Sequence, residues 1–150
     1  MRIYLTVIDD TPEALSALRF AARRAVKTGG GVEIVALLPP QEFIAFGGVQ
    51  ATIEDEQRRR AEGLVARAAG TILEESGVRP SLTIRTGEGA KVIREIIADN
   101  PSIAALVLGA AASGAPGELV SYFAAEAGTL PVPLMIVPGG MDAEAIDRVS

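Results

Sequence analysis

IAALVLGAAASGAPGELVSYF, Ile103 to Phe123, opens with seven consecutive small or apolar residues that end at Gly109. A run this short, without polar alternation, suits a strand buried on both faces of a parallel sheet. Gly109, Gly114 and Gly117 follow, with Pro116 just ahead of a helical pattern that starts near Glu118. Strand, glycine-rich turn and helix together aim free backbone N–H groups at whatever lies before the helix, an arrangement that receives anions. The rest of the chain reads as a sheet built beside this strand.

Upstream, Ile3 to Ile8 is a β-branched run that predicts the first strand. Thr11 is placed to cap the next helix, with Pro12 in its first turn and Glu13 complementing its dipole. Leu15, Leu18, Ala22, Ala25 and Val26 recur at three- and four-residue spacing as its buried face, and Gly29 to Gly31 end it. Arg23, Arg24 and Lys27 in its last turn read as dipole complement and solubility. Val32 to Leu38 is the second strand, stopped by Pro39 and Pro40, so one helix joins two parallel strands through a right-handed crossover. The loop after it holds Phe43, Ile44 and Phe46, which either pack over the sheet edge or cover a ligand crevice or partner contact.

Thr52, with Asp55 three residues on, reads as the cap of a long second helix whose buried stripe is Ala61, Leu64, Val65, Ala68, Ile72 and Leu73. Arg58, Arg59 and Arg60 follow Glu54, Asp55 and Glu56 and read as a locally neutralised, solvated turn. Leu82 and Ile84 alternate with polar neighbours as an edge strand does. Gly87-Glu88-Gly89 turns into a third helix with Val92, Ile93, Ile96 and Ile97 inward, ended by Asn100-Pro101. The fourth helix extends to about Ala127. VPLMIVP, Val132 to Pro138, is a last strand whose Pro133 favours an edge, and Asp142 caps a short final helix.

At 150 residues, 49% of them hydrophobic, residues 1–150 make a single domain with a substantial core. The sequence contains no cysteine and no histidine, which excludes disulfides, thiol or imidazole catalysis and zinc sites built on either residue. A net charge of −5, no Trp and two Tyr argue against nucleic-acid partners. No stretch reaches the roughly 20 apolar residues of a membrane span, and MRIYLTVIDD is too short for a signal-peptide core, so a cytoplasmic location is expected.

Five strands alternating with four helices give an α/β fold, a single doubly wound parallel sheet with helices on both faces. Ligands of such sheets sit where neighbouring connections leave in opposite directions, outside the carboxyl ends of the strands. If the fourth strand returns beside the first, that crevice lies between Asp9 and Gly109, with Asp10 beside it.

VIDDTPEALSALRFAARRA resembles the opening of the universal stress protein family, in which a strand ends in Asp before a short turn and an amphipathic helix. TGEGAKVIREII and LPVPLMIVP also resemble that family, and the likeness runs from Arg2 to Pro138. It implies strand order 3-2-1-4-5 in an adenine nucleotide alpha hydrolase-like fold, a stress-response role, and a homodimer through the last strand, Val132 to Val137. The nucleotide-binding branch carries Gly, two residues, Gly, nine residues, then Gly and Ser or Thr. Here Gly109 matches the first position and Ala112 occupies the second. Aligning from the last strand puts Val120 at the third glycine and Ser121 at the hydroxyl, over an interval two residues shorter. Gly114 and Gly117 offer a substitute loop.

No Lys or Arg occurs from Glu95 through Asp147, and Glu118 lies in the first turn of the helix that would face phosphates. The expected protein is therefore a non-enzymatic, homodimeric stress-response protein with weak or lost ATP binding, which contacts other proteins through its surfaces or the Phe43/Phe46 loop. No cofactor or metal is required and no catalytic residue is assigned. Any adenine nucleotide would be held at Asp9, Leu38, Gly109, Gly114, Gly117 and Ser121. Two alternatives stay open: an adenine-nucleotide switch or slow ATP hydrolase of the same family, and an unrelated small-molecule enzyme working with carboxylates, Lys, hydroxyls and Tyr.

Overall fold

The computed structural model describes residues 1–40 and 47–150, so Phe43, Ile44 and Phe46 and the role expected of them lie outside the described residues. Strands β1 (Ile3–Val7), β2 (Gly31–Leu38), β3 (Ser81–Thr86), β4 (Ile103–Ala110) and β5 (Leu134–Pro138) form one sheet. All pairs are parallel and the order is β3-β2-β1-β4-β5, as expected. The connecting helices are α1 (Pro12–Thr28), α2 (Gly47–Ser76), α3 (Gly89–Asp99) and α4 (Glu118–Ala125), and α5 (Ala143–Val149) follows β5.

Alternation along β1 builds two cores. Tyr4 and Ile8 point to the face covered by α1 and α2, packing with Leu18, Ile34, Val65, Ile72 and Val107. Leu5 and Val7 point to the other face, where Ile93 of α3, Phe123 of α4 and Leu106 complete the second core. A side chain such as Leu5 or Leu18, with no exposed surface, contributes about 1.5–3 kcal/mol by burial, so these layers fix the sheet between its helices.

Local chemistry sets the helix ends. The Thr11 hydroxyl accepts from the Ala14 N–H at 3.3 Å, and Gly29 ends α1 at φ 66°. The expected α1 stripe holds at Leu18, Ala22 and Ala25, but Val26 is 51% exposed because α1 buries its Ala17, Ala21 and Ala25 line instead. Helix α2 starts five residues before Thr52, so Thr52 lies inside it and not at its start; Leu73, assigned to the stripe, is exposed. Asp142 caps α5, accepting from the Ala145 N–H at 2.8 Å. Arg24 and Lys27, read as dipole complement and solubility, donate to the Ser150 and Asp147 carbonyls at 3.0 Å and hold the end of α5 against α1. They do complement a helix dipole, but that of α5 as well as their own.

Candidate functional site

The strand order brings β1 and β4 side by side, and their carboxyl ends open into a cavity of about 120 Å³. Asp9, Thr11, Gly109, Gly117, Glu118 and Val120 are among its lining residues. Asp9 and Gly109 thus face one crevice, as the switch-point reasoning requires. Asp9 is held in place by the Thr11 hydroxyl, which donates to its Oδ1 while capping α1.

Gly109 has a packing reason to be glycine. A Cβ there would run into the Glu13 backbone carbonyl, in the first turn of α1. Gly139, just past β5, faces the same turn: its Cβ would lie 2.6 Å from the Ala110 carbonyl oxygen and 2.8 Å from the Glu13 Cβ. Two glycines on adjacent strand ends therefore let α1 enter close to the sheet. The glycine after β4 was legible in the sequence; the backbone it makes room for was not, since Glu13 lies 96 positions away.

The loop from Ala111 to Gly117 closes through an Ala111 N–H to Pro116 carbonyl bond of 3.1 Å. Gly114 and Gly117 have φ of 74° and 121°, where a side chain is strained, so conformation accounts for both. Gly117 precedes α4 with no side-chain cap, and Gly117 through Val120 line the cavity, so the helix's amino end faces the crevice. Val120, at the expected third-glycine position, is buried in the α3/α4 core as well as walling the crevice.

The other residues expected at the site are dispersed. Gly114 stands on the exposed loop and Ser121 on the exposed side of α4, and neither lines the crevice; the Ser121 N–H donates to the Gly117 carbonyl at 3.0 Å. Leu38 borders a separate cavity of about 270 Å³ with Thr86 and the start of α2. Asp10 borders a third, of about 400 Å³, between α1 and α2, which Asp9 also reaches.

The crevice carries three carboxylates, Asp9, Glu13 and Glu118, and no Lys or Arg among its lining residues. An open helix amino end is worth about 0.3–1 kcal/mol to an anion, up to about 2 in partly buried geometry. One like charge about 6 Å away costs about 3 kcal/mol at an effective dielectric near 20. Asp9 and Glu118 are exposed, so solvent screening lowers that figure, but several like charges against one helix end still disfavour each added phosphate charge. Among the described residues no group of three or more His, Cys, Asp or Glu side chains is placed to hold a metal ion that could offset this. No described helix is long and apolar enough to cross a membrane.

Comparison with known proteins bears on both fold and site. The universal stress protein family model matches residues 1–138. Among solved structures, the universal stress protein UspA from Lactobacillus plantarum superposes with a TM-score of 0.77 at 17% identity, over 91% of this chain and 97% of that one. A universal stress protein from Archaeoglobus fulgidus in complex with dAMP gives 0.64 at 23% identity, over 91% and 97%. One from Arabidopsis thaliana with AMP bound gives 0.60 at 13% identity, over 92% of each chain. At these identities the structural likeness concerns the fold. Among curated proteins, none matches this sequence.

Proposed function

This chain belongs to the universal stress protein family, and from that premise we propose that it is a non-enzymatic, homodimeric stress-response protein of the cytoplasm whose crevice has lost tight binding of ATP. The observation that carries the reading is the crevice itself, whose lining at the amino end of α4 includes Asp9, Glu13 and Glu118 and no Lys or Arg. Val120 stands where the family's glycine pattern needs no side chain, and Ser121 is exposed and is not among the residues lining the crevice. A ligand that does enter carries at most one phosphate. The relatives with dAMP and AMP bound support that choice, since the single helix amino end offers one anion position.

Dimerisation is proposed through β5. This strand ends the sheet, and among the described residues its outer row of backbone groups has no partner strand. Ile136 is 43% exposed on it, whereas Leu134 packs against the α3/α4 core. Pairing two copies of β5 across a two-fold axis covers both the edge and Ile136.

Light scattering on the purified protein tests the assembly, and analysis of ligand released by denaturation tests the crevice. At about 10 μM protein and about 150 mM salt we expect a dimer that Ile136→Asp converts to a monomer with unchanged helicity, and no stoichiometric nucleoside triphosphate in the released fraction. Under those conditions, where weak charge-dependent contacts are screened and dilute, a wild-type monomer, a variant that still dimerises, or one equivalent of ATP would each contradict the corresponding half of the proposal.

A further inference from the structure

Helix α2 runs for 30 residues, about 45 Å at 1.5 Å per residue, whereas the longest strands have 8 residues and span about 26 Å. Its buried line is Ala61, Val65, Ala68 and Ile72. None of residues 51–60 is buried. This solvated stretch, 51–60, is an arm over the carboxyl end of β2, where Glu54, Asp55 and Arg58 meet Leu38 and Thr86.

Outside that contact, Ile53, Glu56, Arg60 and Gly63 follow one another at spacings of three, four and three, which sets them in a single seam along the helix. Ile53 is 42% exposed, and Glu56 and Arg60 are exposed too. Asp55 and Arg59 pair at 3.1 Å within the helix, but among the described residues Glu56 and Arg60 make no ion pair, although their spacing would allow one. Gly63 stands in a helix interior, where glycine costs about 1 kcal/mol relative to alanine. Within the chain, a Cβ there would meet only the end of the Arg67 side chain, at 3.2 Å.

We infer that this seam is a contact surface for a second copy of the same chain, with two α2 arms packed antiparallel about a two-fold axis. In that register Glu56 of each copy meets Arg60 of the other, and Ile53 of each lies over Gly63 of the other, whose missing side chain lets the helices approach. Of the charges on the arm, Glu54, Asp55 and Arg58 face Leu38 and Thr86 and Asp55 pairs with Arg59, so the charge match across the antiparallel pair is the Glu56–Arg60 contact, made twice by the two-fold axis. A parallel pair would set like charges together. The match of the seam to itself is what selects a second copy as the partner. This contact is independent of β5 and lies at the opposite end of the strand order, so each copy carries two separate two-fold surfaces.

The test uses the Ile136→Asp chain, which removes the proposed β5 contact, and measures self-association by sedimentation at about 0.1 mM protein and about 50 mM salt, where exposed charges are least screened. We expect a weak dimer. Either Glu56→Lys or Arg60→Glu should weaken it at least tenfold, because each sets like charges opposite at both symmetric positions. Mixing the two single variants, or combining both substitutions in one chain, should restore association. Circular dichroism on each variant separates lost contact from lost helix. Failure to associate in the parent chain, single variants that associate as it does, or no recovery in the mixture would each overturn the inference. If Ile136→Asp leaves the β5 dimer intact, the same variants still report, as loss and recovery of a tetramer.

Discussion

Gly109 is glycine because the first turn of α1 occupies the space its side chain would need. Backbone-to-backbone overlap has no cheap relief, unlike a clash with the end of a flexible side chain. Gly109→Ala should therefore cost about 1–3 kcal/mol of stability, read from the urea midpoint at constant slope. Gly114→Ala has open space around its Cβ and pays only for its positive φ, about 1 kcal/mol. A Gly109→Ala protein as stable as the wild type would remove the packing account and return that glycine to a ligand role. At this scale the sequence is ambiguous: a glycine kept for phosphate, for positive φ or for helix approach is the same letter. Asp9 was legible because a carboxylate ending a strand ahead of Thr-Pro has few other places to sit. Asp10, next to it, turns to a different cavity because successive residues leaving a strand diverge.

Among the elements, the strands were the most legible. Ile3–Val7 and Ile103–Ala110 are buried on both faces, as central parallel strands are, while the sequence of Ser81–Thr86 alternates as an edge does. Helix starts were less so. Thr52 carries the letters of a cap, yet α2 begins at Gly47, where composition gives no cap signal. The true cap of α3 is Glu88, whose carboxylate accepts from the Ala90 and Lys91 N–H groups at 3.1 and 3.0 Å. Glutamate is uncommon in that role, so the Gly-Glu-Gly stretch reads as a turn and the cap goes unseen. Glu88→Ala should lower stability by about 1 kcal/mol and speed hydrogen exchange at the Ala90 and Lys91 amides first. Unchanged exchange there would mean that the two bonds contribute nothing in solution.

For the whole molecule, the order of strands decides where a ligand could sit, and the charge around that place decides which ligand it can be. The order followed from the alternation of strand and helix together with family resemblance. The dispersal of Leu38, Gly114 and Ser121 away from the Asp9–Gly109 crevice did not, because it depends on how the loop from Ala111 to Gly117 folds and on which side of α4 faces inward. What remains at the crevice is one helix amino end among three carboxylates. Each phosphate added to an adenosine brings more negative charge than that end can stabilise. Affinity should therefore fall from adenosine and AMP to ATP, the reverse of a site built to grip a triphosphate. Calorimetry with adenosine, AMP and magnesium-ATP on one preparation measures this order directly. The expected result is ATP binding weaker than about 10 μM, near −7 kcal/mol, and weaker than that of the other two ligands. One-to-one binding of ATP tighter than that, with AMP and adenosine behind it, would contradict the account and assign the phosphates to the Gly114–Gly117 loop.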